Sequence, residues 1–73
     1  MKRPFAATVW REGKWYVSQC LELDIASQGD SVEAARENLR EALQLFFECA
    51  SPEEVGRRLA GEVYITHVEV AVG

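Results

Sequence analysis

From Phe5 to Arg11 the chain alternates, with Phe5, Ala7 and Val9 on one side and Ala6, Thr8 and Trp10 on the other. A period of two predicts a β-strand. Glu12-Gly13 interrupts it, and Gly13 suits the left-handed backbone of a tight turn. Trp15 to Cys20 opens with aromatic and β-branched residues, which predicts a second strand and an antiparallel hairpin. A two-residue Glu12-Gly13 loop sets Trp10 opposite Trp15 and Val9 opposite Tyr16. A glycine bulge shifts that register by one. Leu21 to Asp24 reads as an irregular crossing, and Ile25 to Gln28 as a short third strand.

The period changes at Val32. Val32, Ala35, Leu39, Ala42, Leu43, Phe46 and Ala50 recur at steps of three and four, the apolar stripe of an amphipathic helix. Arg36, Glu37, Arg40, Glu41 and Gln44 fall largely outside it, as a solvated face. Phe47 sits at the margin. Leu45 departs from the stripe and is a candidate contact with another chain; an isolated surface leucine is the plainer reading. Ahead of the helix stands Ser27-Gln28-Gly29-Asp30-Ser31-Val32-Glu33. Gly29 reads as a positive-φ turn residue and Asp30 or Ser31 as the cap. Glu33, three residues after Asp30, has capping-box spacing. Asp30 in front of the helix repels phosphate, which argues against an anion site there.

Ser51-Pro52-Glu53-Glu54 predicts a second helix, with Ser51 as cap, Pro52 in the first turn and Glu54 at the capping-box position. Gly56 is expected to interrupt it and Gly61 to end it. Glu62 to Val72 predicts a last strand of mixed phase. Val68, Val70 and Val72 alternate with polar or small residues, yet Val63 and Ile65 are apolar in the other phase. A bulge near Thr66 or burial on both faces accounts for this. The expected architecture is α+β: a small antiparallel sheet in the order β-β-β-α-α-β, with the helices on one face. The helical layer is expected over the Phe5–Val9 phase. Trp10 and Trp15 are then exposed and mark a partner or oligomer interface.

Seventy-three residues make one domain. So short a chain buries only about 60% of its unfolded surface, and its core rarely supplies more than roughly 3–5 kcal/mol. Oligomerisation, as a dimer or higher, is the expected supplement. Cys20 and Cys49 are far apart in sequence and read as buried thiols in a reducing cytoplasm, although a disulfide between them stays open. No signal peptide or spanning segment is expected, which places the chain in the cytoplasm and off the membrane. The net charge of −4 disfavours direct nucleic-acid binding and favours a basic protein partner.

Chemistry-bearing residues are few. His67 stands alone, and Cys20 as a nucleophile lacks a base linked to it in sequence. Glu22, Asp24 and Asp30 suit a hard cation, but capping and solvation explain them more simply. No catalytic, metal or cofactor residue is assigned, and no enzyme activity is expected.

The hairpin, the Ser27–Ala35 turn and cap, and Asn38-Leu39-Arg40-Glu41-Ala42-Leu43 together resemble the HicB-like antitoxin family. Gly13-Lys14-Trp15-Tyr16-Val17 and Cys20-Leu21-Glu22-Leu23-Asp24 are also similar, so the resemblance spans roughly residues 4–48. It implies a partial ribonuclease-H-like fold and an antitoxin role, blocking a small basic HicA-type toxin that cleaves mRNA by protein–protein contact. It implies no cofactor and no activity of the chain's own. Two departures stand out. Phe5 to Trp10 holds no acidic residue where nucleases of that fold carry a metal ligand. With the last expected strand ending just before Gly73, no C-terminal DNA-binding module of the family's kind is expected. No toxin-contact residue carries over from the family. On physical grounds Trp10, Trp15, Glu22 and Asp24 are the candidate contacts, the acids facing a basic surface. Two alternatives remain: an orphan oligomeric domain without a toxin, and a small metal-dependent nuclease using Asp24, Asp30 and His67.

Overall fold

In the computed structural model, which describes residues 2–73, three strands precede two helices: β1 (Ala7–Glu12), β2 (Trp15–Cys20), β3 (Ile25–Gly29), α1 (Val32–Cys49) and α2 (Pro52–Leu59). The strands form one antiparallel sheet in the order β1-β2-β3. The architecture is α+β, with both helices packing against that sheet, and β-β-β-α-α rather than the expected six elements.

The hairpin register differs from expectation. Glu12 pairs with Trp15 and Trp10 with Val17, so the loop is Gly13-Lys14. Gly13 has φ +60°, and no positive φ occurs at Lys14. Left-handed backbone at the first loop position alone is what a type II′ turn requires, and that position favours glycine. The loop therefore starts at the glycine rather than ending on it. The displacement is an even number of residues, so Trp10 and Trp15 still share a face.

Side chains of Ala7, Val9, Tyr16, Ser18, Cys20, Ile25 and Ser27 fall on the inner face, toward α1. The buried core is small: Cys20, Leu23 and Leu39, with Phe5, Ile25, Leu43, Phe46 and Leu59 packed around it. Fully burying a side chain such as Leu39 contributes about 1.5–3 kcal/mol, so a core of this size leaves little margin. Ser18, fully buried in the middle of β2, donates from Oγ to the Ala35 carbonyl oxygen at 2.7 Å, which joins the sheet to the first turn of α1.

Gly29 does not have the positive φ expected of it. Its role is close approach. A Cβ there falls 2.5 Å from the Ala35 nitrogen and 2.7 Å from the Ala34 carbonyl carbon. The end of β3 thus packs backbone against backbone on the start of α1. Ser31 is the N-cap, its Oγ accepting from the Ala34 N–H at 3.0 Å. The capping-box position is therefore Ala34, and Glu33 acts through its charge at the positive end of the helix. Ser51 caps α2 in the same way, accepting from the Glu54 N–H at 3.2 Å, with Pro52 in the first turn. Contrary to expectation, α2 runs through Gly56 to Leu59. Glu54 pairs with Arg57 and Arg58 one turn on, and those bridges span the glycine.

A further correction concerns residues 62–73. They are extended and fully outside the sheet, and among the described residues they make no backbone hydrogen bond. A periodic sequence becomes a strand only when a neighbouring strand supplies hydrogen-bond partners. Here this chain's own sheet does not. Cys20 is buried and Cys49 exposed, and both thiols are free.

Candidate functional site

Two surfaces are left uncovered, one on each side of the sheet. The outer face comprises Thr8, Trp10 and Glu12 of β1, Trp15, Val17 and Gln19 of β2, and Ala26 and Gln28 of β3. Both helices lie on the other side, so neither shields it. Trp10 is 39% exposed and Trp15 52%. They sit diagonally across the hairpin, near enough for large rings to form one apolar patch. The indole N–H of Trp10 donates to Glu12 Oε1 at 2.9 Å, which fixes the ring and puts a carboxylate beside it.

Asp24 borders this face. Its Oδ1 accepts from Gln19 Nε2 at 2.8 Å, and its own backbone is left-handed at φ 54°. An acid at the margin of an aromatic patch can attract a cationic partner. Glu22 does not join it. Its Oε1 accepts from the Ala6 N–H at 2.6 Å, so this half-buried carboxylate ties the segment before β1 to the β2–β3 connection. That is a structural task which its sequence neighbourhood does not reveal. Leu45 is 60% exposed but belongs to α1, across the sheet from the tryptophans. The five candidate contacts thus divide: Trp10, Trp15 and Asp24 share a surface, while Glu22 and Leu45 lie elsewhere.

The second surface lies between α1 and residues 2–7, where the chain enters β1. It is a trough of about 1010 Å³ floored by Phe5, Ala7, Leu39, Leu43 and Phe47, with Lys2, Arg3, Arg36 and Arg40 at its rim. The rings of Phe5 and Phe47 stack at 5.6 Å, which explains why Phe47 sits at the margin of the helix stripe. No motif along the chain marks this trough. The one signal is indirect: an α1 stripe too wide for three short strands to cover.

Asp24, Asp30 and His67 are not brought together. Among the described residues no group of three or more His, Cys, Asp or Glu side chains is placed to hold a metal ion. Nor is any helix among them long and apolar enough to cross a membrane. On the exposed side of α1, the hydrogen bond from Arg40 holds the Glu37 carboxyl below its ordinary value, and the same contact raises the Arg40 guanidinium. Comparison with known proteins returned no matching family model, curated protein or solved structure.

Proposed function

We propose that this chain is a HicB-like antitoxin-type binding module, which neutralises a small basic mRNA-cleaving toxin by covering it. The observation that carries the reading is the outer sheet face, where two exposed tryptophans sit diagonally across the hairpin, with Glu12 hydrogen-bonded to Trp10 and Asp24 at the far end of β2. Tryptophan is the residue type most often found at the energetic centre of a protein interface. The carboxylates and the net charge of −4 favour a cationic partner and disfavour a nucleic acid. The element order β-β-β-α and the Gly29-Asp30-Ser31 junction support the family resemblance. In this reading the chain performs no chemistry. It occupies the toxin's RNA-binding surface and presents acids where phosphates otherwise sit.

The test is to search the flanking genes for a small basic protein and to co-express it with this chain; the absence of such a neighbour favours the orphan oligomeric domain. The parent chain restores growth in the presence of that protein. A double substitution, Trp10→Asp/Trp15→Asp, abolishes the rescue while leaving the helical circular-dichroism signal unchanged, because both side chains lie outside the core. Full rescue by the double variant excludes this face as the contact. Lack of toxicity in the neighbouring product removes the antitoxin reading itself.

A further inference from the structure

The segment after α2 has the composition of a strand but nothing to pair with. Residues 62–73 contain Val63, Ile65, Thr66, Val68, Val70 and Val72, six β-branched residues in twelve. All twelve are exposed, Val68 to 80% and Val72 to 95%. The hydrogen bond from the Tyr64 hydroxyl to Glu62 Oε2 at 2.9 Å stays within the segment itself. The arm draws the molecule out to 50 × 28 × 20 Å and its Cα radius of gyration to 14.4 Å. A compact chain of this length has a radius near ~11 Å. An exposed apolar strand with open backbone groups is a liability that soluble proteins cover.

The same chain carries a matching acceptor. β1 lies at the edge of the sheet, and at its start opens the trough floored by Phe5, Ala7, Leu39, Leu43 and Phe47. The other edge lies close against α1. β3 is short and polar, and Gly29 already meets the α1 backbone at closest approach. In an extended arm, Tyr64, Thr66, Val68, Val70 and Val72 share one face. That row, apolar but for the Thr66 and Tyr64 hydroxyls, suits the trough. The opposite face has Val63 and Ile65 first, then His67 and Glu69, so only its first half asks for cover. The lining carries Lys2, Arg3, Arg36 and Arg40, the last paired with Glu37, against one acid, Glu48, while the arm brings Glu62 and Glu69 and neither lysine nor arginine.

We propose that the arm, residues 62–73, docks as a fourth strand on the β1 edge and in the trough of a second copy of this chain. Each copy owns one arm and one acceptor, so reciprocal exchange closes a two-fold dimer with no edge left seeking an arm. The main chain supplies strand-addition hydrogen bonds, and the valine row supplies the buried apolar surface. The exchange also gives a small core the extra burial that a chain of this size needs.

The test uses the full chain alone, so it stands apart from any toxin. Sedimentation equilibrium at micromolar concentration is expected to give twice the mass of one chain. In a mixture of isotope-labelled and unlabelled chains, filtered NOEs are expected from the Val68, Val70 and Val72 methyls of one copy to Ala7, Leu39 and Leu43 of the other. Val68→Asp/Val70→Asp is expected to weaken association at least about a hundredfold. Those side chains are largely exposed within one chain, so the variant keeps its helical circular-dichroism signal. Three results overturn the proposal. One is a monomer at all concentrations whose arm contacts its own β1. Another is a dimer whose arm methyls show no intermolecular NOE. The third is a double variant that dimerises as well as the parent.

Discussion

Replacing Gly29 with alanine tests the packing that sets the whole fold. The added methyl lies 2.5 Å from the Ala35 nitrogen, 2.7 Å from the Ala34 carbonyl carbon and 2.8 Å from the Ala34 Cβ. Two of these neighbours are helix backbone, so no side chain can swing aside. Relief requires β3 and the first turn of α1 to separate. A gap of about 0.5–1 Å forfeits a quarter to a half of the dispersion attraction along that seam. It also stretches the Ser18 Oγ to Ala35 O hydrogen bond, 2.7 Å long and fully buried. Overpacking of this kind costs about 1–3 kcal/mol, and the weakened hydrogen bond adds about 1 kcal/mol. The alanine's lower unfolded-state entropy offsets about 0.4–1 kcal/mol. The expected loss is about 2–3 kcal/mol, against roughly 3–5 kcal/mol for a domain of this size.

Gly56 supplies the control. It lies inside α2, and a Cβ there meets nothing within 4 Å, so Gly56→Ala is expected to stabilise by about 0.5–1 kcal/mol. Urea unfolding at one fixed protein concentration checks both, since self-association shifts apparent stability. With a slope of about 1 kcal/mol/M, the Gly29→Ala midpoint falls by about 2–3 M. A midpoint equal to or above the parent's, with Gly56→Ala behaving as expected, refutes the close-approach account of Gly29.

Ser18→Ala removes the hydroxyl that joins β2 to Ala35 and is expected to cost about 1 kcal/mol in the same assay. Ser31→Ala removes the α1 cap and is also expected to cost about 1 kcal/mol, with Ser31→Asp recovering most of it. Glu37 titrates below its ordinary value because Arg40 hydrogen-bonds its charged form. Its contribution is therefore present above the unfolded-state value and is lost as pH falls through the lower folded-state value. Glu37→Gln is accordingly expected to flatten only the acid limb of the urea midpoint against pH, below about pH 4, and added salt is expected to shrink the difference.

The hairpin and both helices are legible in the sequence because each signal is local. The alternation in β1 and β2, the α1 stripe and the Ser51-Pro52 cap all act within a few residues. The register is not, because it depends on where in the loop Gly13 falls, and glycine suits either position until the handedness of the turn is known. Gly29 is legible as a required glycine but not for the right reason. A glycine needed for positive φ and one needed for close approach look identical in sequence, and only the position of Ala34 and Ala35 separates them. The low helix propensity of Gly56 is offset in part by the Glu54–Arg57 and Glu54–Arg58 pairs that span it. Glu22 reads as a free acid because its partner, the Ala6 N–H, lies sixteen residues away. The strand pattern of residues 62–73 describes how those side chains behave in a sheet. It carries no information about which molecule provides the neighbouring strand.

The claim that the outer sheet face is the binding surface is tested most directly by fluorescence. Trp10 and Trp15 are the chain's only two tryptophans, and both lie on that face. A small basic protein found encoded beside this chain, prepared with its own tryptophans replaced, is titrated into the chain while emission and acrylamide quenching are followed. The account predicts a saturable shift of the emission to shorter wavelength and a fall of about twofold or more in quenching as both indoles leave water. Complete complex formation by sedimentation, with emission and quenching unchanged, contradicts it.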